Sequence, residues 1–278
     1  MALRGIFRLF SGQPVHAVGD DGRMALSDHF RELRARVLKV ALTFLVVFAV
    51  SLFFFDQLFD FVYGPYEQAN NGLPPQSSLA ITQGPGGGLM LYLKLCGFAA
   101  LLVTCPVWLY QIWAFVMPGL HPSEKRWTRI FVAVAVPLFL IGVLLGWVTL
   151  PKGLEILIGL NPDGITNLVD FNEYLQFLTR TLLVFGLAFE IPVFVVMLNR
   201  AGVVKGRTLA QYRPWIIIGI FVFAAIATPS TDPFTMTIMA VPMVILYFIS
   251  EVLARVHDRR KAESSLNAGL SPDEASPL

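Results

Sequence analysis

Long apolar runs separated by short polar segments set the pattern of this chain. A membrane-crossing helix needs about 20 mostly apolar residues, and six stretches approach that length: about 37–55, 88–117, 130–150, 172–198, 214–228 and 234–252. Pro106, Pro137 and Pro192 fall inside the second, third and fourth. Lys39 stands at the edge of the first, where its stem can lie along apolar surface while the ammonium reaches water. The fifth and sixth runs are joined only by "PSTDP". Fifteen residues make roughly 22 Å of helix, short of a hydrocarbon core of roughly 30 Å, so local thinning of the bilayer is expected there. The pattern predicts an all-α integral membrane protein with six transmembrane helices, the last two short.

The connecting segments differ in character. Residues 56–87 open with "DQLFDFVYGPYE", which reads as an amphipathic or interfacial helix, and continue through "NNGLPPQ" and "GPGGG". That glycine run is a turn signal rather than a phosphate cradle, because the Lys-Ser/Thr of a Walker loop is absent. Residues 151–171, with "NPDG", form the second long connection. The polar, turn-rich ending "AESSLNAGLSPDEASPL" predicts a disordered tail over 254–278. "MALRGIFRLFSG" forms no cleavable signal peptide, since Arg8 interrupts its apolar residues. No internal repeat supports an inverted-repeat transporter.

Composition sharpens this picture. Only 14% of residues are charged, against about 25% in an average soluble domain, and mean hydropathy is +0.65. The net charge of +2 gives no argument for a nucleic-acid partner, but its distribution is informative. Of 21 basic residues, 18 fall in the segment up to Lys39, in the loops after the second and fourth runs, and in the C-terminal tail. The opposite loops carry Asp56, Asp60, Glu67, Glu155, Asp163, Asp170, Glu173 and Asp232, with Lys152 alone against them. Basic residues mark cytoplasmic loops, so both termini are expected in the cytoplasm. Cys96 and Cys105 lie nine apart, about 180° around a helix, and are expected to be buried apolar residues.

Chemistry in the enzymatic sense is not suggested. The histidines at 16, 29, 121 and 257 are scattered, with no HExxH, no GxSxG and no intramembrane acidic pair. No metal ligand set or cofactor is expected. The anomaly is Glu190, in "VFGLAFEIPVFVV", ten residues from both Arg180 and Arg200. An acid near mid-membrane costs at least a few kcal/mol and marks a functional site by default. It faces a wet cavity or partner helix, or it is protonated and ties helices together. The other candidate is Glu32 in "HFRELRAR". Asp28, Glu32 and Arg36 are spaced four apart, so Arg36 can neutralise Glu32. Alternatively, Glu32 and Glu124, the acid of the next cytoplasmic loop, clamp a guanidinium ligand between them.

Five segments taken in order carry a family resemblance. "HFRELRAR" (29–36), "PVWLYQIWAFVMPGLHPSE" (106–124), "FGLAFEIPV" (185–193), "YRPW" (212–215) and "TPSTDPFTMTIMAVP" (228–242) resemble the TatC family, the multispanning subunit of the twin-arginine protein translocase, over residues 24–253. The resemblance implies a concave six-helix bundle in the cell's inner membrane. That bundle receives twin-arginine signal peptides of folded cargo and assembles with TatA-type and TatB-type single-span subunits in an oligomeric complex. Transport would be powered by the proton-motive force, with no enzyme activity. Carried over by motif, Glu32 and Glu124 read the twin arginines, and Phe115 and Arg34 support them. Glu190 is the intramembrane glutamate, and Thr228, Asp232 and Met236 dock partner helices. Residues 1–23 precede the usual family start and are a cytoplasmic extension or an upstream start choice. Met236 stands where some relatives carry a polar residue. A proton-coupled small-solute transporter using Glu190 is the alternative, and membrane lipid is a partner in either case.

Overall fold

The computed structural model describes residues 26–75, 77–116, 125–162, 166–200, 202–227 and 233–267. Helix α1 (Leu26–Ser51) passes through a 3₁₀ turn at Leu52–Phe54 into α2 (Phe55–Asn71), and the apolar stretch Phe30–Asn71 runs 42 residues. The first span was expected to end at 55, with an interfacial helix beyond it. That helix exists, but its inner face is core: Val62, Tyr66 and Ala69 are buried, and Phe61 stacks on Trp147 at 4.2 Å. Ser51 marks the junction, where its hydroxyl donates to Phe48 O at 2.7 Å and Cys96 O at 3.1 Å.

Strand β1 (Ser78–Ile81) then leads to α3 (Gly87–Val103) and α4 (Cys105–Val116). The expected span 88–117 is thus two helices meeting at 58° around Thr104. Pro106 is the cause, since proline has no amide hydrogen and its ring clashes with the carbonyl four residues earlier. Near the bend, Thr104 Oγ1 donates to Ala100 O at 2.7 Å, which also accepts from Thr104 N at 3.0 Å, and Trp108 Nε1 donates to Leu101 O at 3.0 Å. Cys96 and Cys105 are buried and free, on either side of the break.

Helix α5 (Lys125–Gly159) is 35 residues long and carries Pro137 and Pro151. Strand β2 (Asn167–Asp170) pairs in parallel with β1, Ser78 opposite Asn167 through Ile81 opposite Asp170. This link between the two long connections was not foreseen, because four-residue strands leave little periodicity. Asp170 then caps α6 (Phe171–Phe189) by accepting from Asn172 N at 3.0 Å. In the "GPGGG" turn, Gly84 has φ +72°, and a Cβ on Gly87 would lie 2.5 Å from Thr82 Cγ2.

Helices α5 and α6 meet backbone to backbone. A Cβ on Gly142 would fall 2.5 Å from Phe185 O, and Gly186 gives room to the fully buried ring of Phe139. Small residues permit this approach in a membrane, where water does not drive helices together. Next come α7 (Ile191–Arg200), the short α8 (Gly206–Gln211), α9 (Arg213–Ala227) and α10 (Pro233–Asn267).

The sixth run does not end at 252. Helix α10 reaches Asn267, so residues 254–267, expected to be disordered, continue the helix, and of the two runs expected to be short α9 is the short one. Tertiary contacts hold the extension: Asp258 accepts from Asn199 Nδ2 at 2.8 Å and from Gly206 N at 2.7 Å, and Ala254 is fully buried. Gly206 is needed here, for its Cβ would stand 2.7 Å from Arg255 N.

Three apolar clusters form the core. The first joins α2, α3, α5 and α6; the second gathers Phe185, Ile220, Ala224, Met239 and Met243; the third holds Cys105, Leu109, Trp113, Phe139, Val193 and Met197. Among the described residues, four helical stretches are long and apolar enough to cross a membrane, a fifth if the bent α3–α4 pair is one span, and Arg213–Ile226 is a shorter apolar helix.

Candidate functional site

The site grows from the first turns of α1. A helix places Glu32 and Arg36 on one face, and Arg36 takes Glu32: both Nε, at 3.0 Å, and Nη2 donate to its Oε1. The neutralisation open to this spacing is therefore what the molecule adopts. Arg36 also reaches across to α4, donating from Nη1 to Gln111 Oε1 at 3.1 Å and from Nη2 to Ala114 O at 2.9 Å. One guanidinium thus ties two helices and a carboxylate together. The pair stays partly open to solvent, with 19% of the Arg36 side chain and 15% of the Glu32 side chain accessible.

Beside this pair lies an apolar groove of about 490 Å³ between α1 and the bent α3–α4 pair. Leu33, Val37, Val40 and Phe44 form one wall, and Leu101, Trp108, Ile112 and Phe115 the other. From Leu33 to Phe44 the groove follows about 16 Å of helix. Arg36 and Gln111 are its polar residues at the α1 start, and Thr104 sits at the helix break.

The structure brings Glu32 and Phe115 to this one region but leaves Arg34 exposed on α1. Glu124, Thr228 and Asp232 lie outside the described residues. Met236 is half-buried and packs on the second core cluster. Sequence reasoning assigned no role to Gln111, although an amide inside "WLYQIWAF" was a signal to follow.

Glu190 stands at the join of α6 and α7, where Pro192 prevents the helix from continuing regularly. It is 8% exposed, and neither carboxylate oxygen has a hydrogen-bond partner among the described residues. The indole of Trp113 is its neighbour, yet Trp113 Nε1 is also without a partner there. Two buried polar groups side by side and unpaired are costly wherever no water enters.

A second charged centre was overlooked. Glu251, 3% exposed, accepts from Arg213 Nε at 3.1 Å and Nη2 at 2.7 Å, and from Arg255 Nη2 at 2.5 Å. Arg213 lies over the Phe248 ring at 5.4 Å. The signal was an acid inside "YFISEVLAR", at the end of the sixth apolar run.

The molecule is a helical membrane bundle with an apolar groove that ends at an acid–guanidinium pair. Comparison with known proteins makes this specific. The Sec-independent protein translocase protein (TatC) family matches residues 28–242. Sec-independent protein translocase proteins TatC are similar at 40% identity in Frankia casuarinae (93% of this chain, 74% of that one) and at 42% in Xylanimonas cellulosilytica (88% of each). Two crystal structures of the twin arginine translocase receptor TatC have the same fold, each with a TM-score of 0.71. One, in DDM, is 30% identical and covers 81% of this chain and 99% of that chain; the other is 31% identical and covers 83% and 100%. The chain belongs to the TatC family. It is a membrane protein and a component of a Sec-independent protein translocase, and the small-solute transporter alternative gains nothing from these relatives.

Proposed function

We propose that this chain is the signal-peptide receptor and core subunit of a twin-arginine translocase, exporting folded proteins on the proton-motive force. The observation that carries the reading is the Glu32–Arg36 pair at the end of an open apolar groove. A carboxylate already holding one guanidinium has the geometry to hold another, because arginine and carboxylate pair through parallel N–H···O bonds. The adjoining groove suits the apolar segment that follows paired arginines, and burying it gains about 25 cal/mol per Å².

In this reading six spans cross the cytoplasmic membrane, the short α9 included, and the basic segments place both termini in the cytoplasm. Glu124 completes the acidic clamp, with Arg34 and Phe115 beside it. Thr228, Asp232 and Met236 mark where TatA-type and TatB-type single-span helices dock, and Glu190 acts in assembly or transport rather than in reading the peptide.

The test is binding of a twin-arginine signal peptide to the purified full chain, repeated with Glu32→Ala, with Glu124→Ala and with a peptide whose paired arginines are glutamines. Binding is expected to weaken about tenfold or more in each case, the equivalent of about 1.4 kcal/mol. Unaltered binding in both variants defeats the proposal.

A further inference from the structure

Two apolar grooves flank the bundle, and polar lining sets them apart. The one between α5, α7 and α10, of about 520 Å³, has neither acid nor amide among its described lining residues. The one between α1 and the α3–α4 pair ends at Arg36 and Gln111, with Glu32 bonded to Arg36. The way Arg36 is held there is specific. Its Nε and Nη2 both donate to the same carboxylate oxygen, Glu32 Oε1, and Oε2 has no hydrogen-bond partner among the described residues. This is not the parallel fork, one N–H to each oxygen, in which arginine and carboxylate frequently pair. The guanidinium is turned instead toward α4, where Nη1 donates to Gln111 Oε1 at 3.1 Å and Nη2 to Ala114 O at 2.9 Å. Gln111 and Ala114 are three apart, on one face of α4. Ala114 O belongs to the last turn of that helix, where carbonyls have no partner within the helix and the dipole favours a cation. Arginine has donors only, so the amide oxygen of Gln111 is the atom that must face it.

We propose that Gln111 is a positioning residue of the receptor site: it holds Arg36 against α4, so that Glu32 Oε2 stays open to an arginine of the incoming signal peptide. This rests on the receptor reading above and gives Gln111 no contact with the peptide. The arrangement answers two opposed needs. A carboxylate only 15% accessible is costly to leave without a partner, and Arg36 supplies one. A carboxylate closed by its own helix neighbour on both oxygens offers nothing to a ligand, and Gln111 prevents that closure. The peptide guanidinium enters at Oε2 and displaces Arg36 from Oε1, and Arg36 keeps its bonds to Gln111 and Ala114 O. Without the Gln111 oxygen, Nη1 loses its acceptor and the guanidinium is free to turn into the parallel fork on Glu32. Arg36 would then both cover Oε2 and have only Ala114 O to retire to.

The experiment takes two readings on the detergent-solubilised full chain, one of them without peptide. Carbodiimide coupling of glycinamide, read at Glu32 by peptide mass spectrometry, reports how open that carboxylate is. Binding of a twin-arginine peptide reports the consequence. Gln111→Leu should slow the coupling about threefold or more and weaken binding about three- to tenfold, as fits one charged hydrogen bond redirected. Gln111→Glu, which keeps an oxygen facing Nη1, should restore most of both. In an Arg36→Met background, Gln111→Leu should change either reading by less than about twofold, because Gln111 acts only through Arg36. A loss of full size in that background overturns the proposal, since Gln111 would then touch the peptide or merely shape the groove. Coupling at Glu32 that is unchanged or faster in Gln111→Leu overturns it as well. Coupling that behaves as expected in a chain that binds twin-arginine and twin-glutamine peptides alike overturns the receptor reading, and with it the ligand named here. The two failures are thus distinguishable.

Discussion

Arg36 is the residue on which two roles of the rim conflict, and Arg36→Met separates them. Methionine keeps the apolar stem that packs in the groove and removes the guanidinium. The bonds to Gln111 Oε1 and Ala114 O join α1 to α4. Hydrogen bonds from charged groups contribute about 1.5–3 kcal/mol when well shielded; at 19% side-chain exposure, we expect the two together to lose about 1–3 kcal/mol. The pair with Glu32 is worth less, about 0.5–1 kcal/mol for a partly solvated i,i+4 bridge. An incoming guanidinium that displaces Arg36 forfeits that amount, so removing Arg36 should tighten peptide binding about two- to fivefold. Thermal unfolding of the detergent-solubilised chain should come earlier. Calorimetric titration with a twin-arginine peptide should give a lower Kd at about 0.1 M salt, with the gain shrinking at 1 M, where the screening length falls to about 3 Å. Weaker binding together with unchanged melting refutes the reasoning, since Arg36 would then hold the ligand rather than compete with it.

Other perturbations test the remaining contacts. Glu190→Leu replaces a buried carboxyl that has no hydrogen-bond partner among the described residues by a hydrocarbon one heavy atom smaller and should raise thermal stability by about 1–3 kcal/mol; export should fall while peptide binding stays within twofold, and equal loss of both contradicts the assigned role. Gly142→Ala puts a methyl 2.5 Å from Phe185 O, where no rotamer relieves the clash, and should destabilise by about 1–3 kcal/mol or more. Gly153→Ala, with nothing within 4 Å, is the control and should be neutral or slightly stabilising on melting. Glu251→Ala leaves two arginines without their acid and should lose about 1.5–3 kcal/mol, less than for a fully buried pair because both arginines reach water. Trypsin should then cleave faster at Arg259–Lys261, and an unchanged cleavage rate would show that the pair does not hold the end of α10.

Much of the fold was legible because a bilayer enforces it. Backbone polar groups in hydrocarbon must be satisfied within the segment, so a long apolar run is a helix almost by necessity; the run at 130–150 lies within α5, and those at 37–55 and 172–198 are helical but interrupted at Leu52–Phe54 and at Glu190. Legibility ended where side chains act across distance. The bend at Thr104 was marked by Pro106, but nothing local announced its 58° angle or that Trp108 Nε1 would donate to Leu101 O. The segment 254–267 is polar enough to read as disordered, and it is helical because Asp258 finds Asn199 and Gly206, 59 and 52 residues away in sequence. The site divides in the same way. Glu32 was visible as an acid among arginines, whereas Gln111 and the Ala114 carbonyl, which complete the rim, became visible only once α4 was folded against α1.

By itself the sequence determined the solvent, the helical class and the family, for these depend on composition, run length and short motifs. Tertiary structure alone decided which partner Glu32 takes, that Glu190 is left without one among the described residues, and that two separate apolar grooves flank the bundle. The reason is that hydrophobic burial is non-directional and readable as a sum along the chain. A hydrogen bond or a close glycine contact depends instead on two positions meeting within about 3 Å, and spacing along the chain does not encode that meeting.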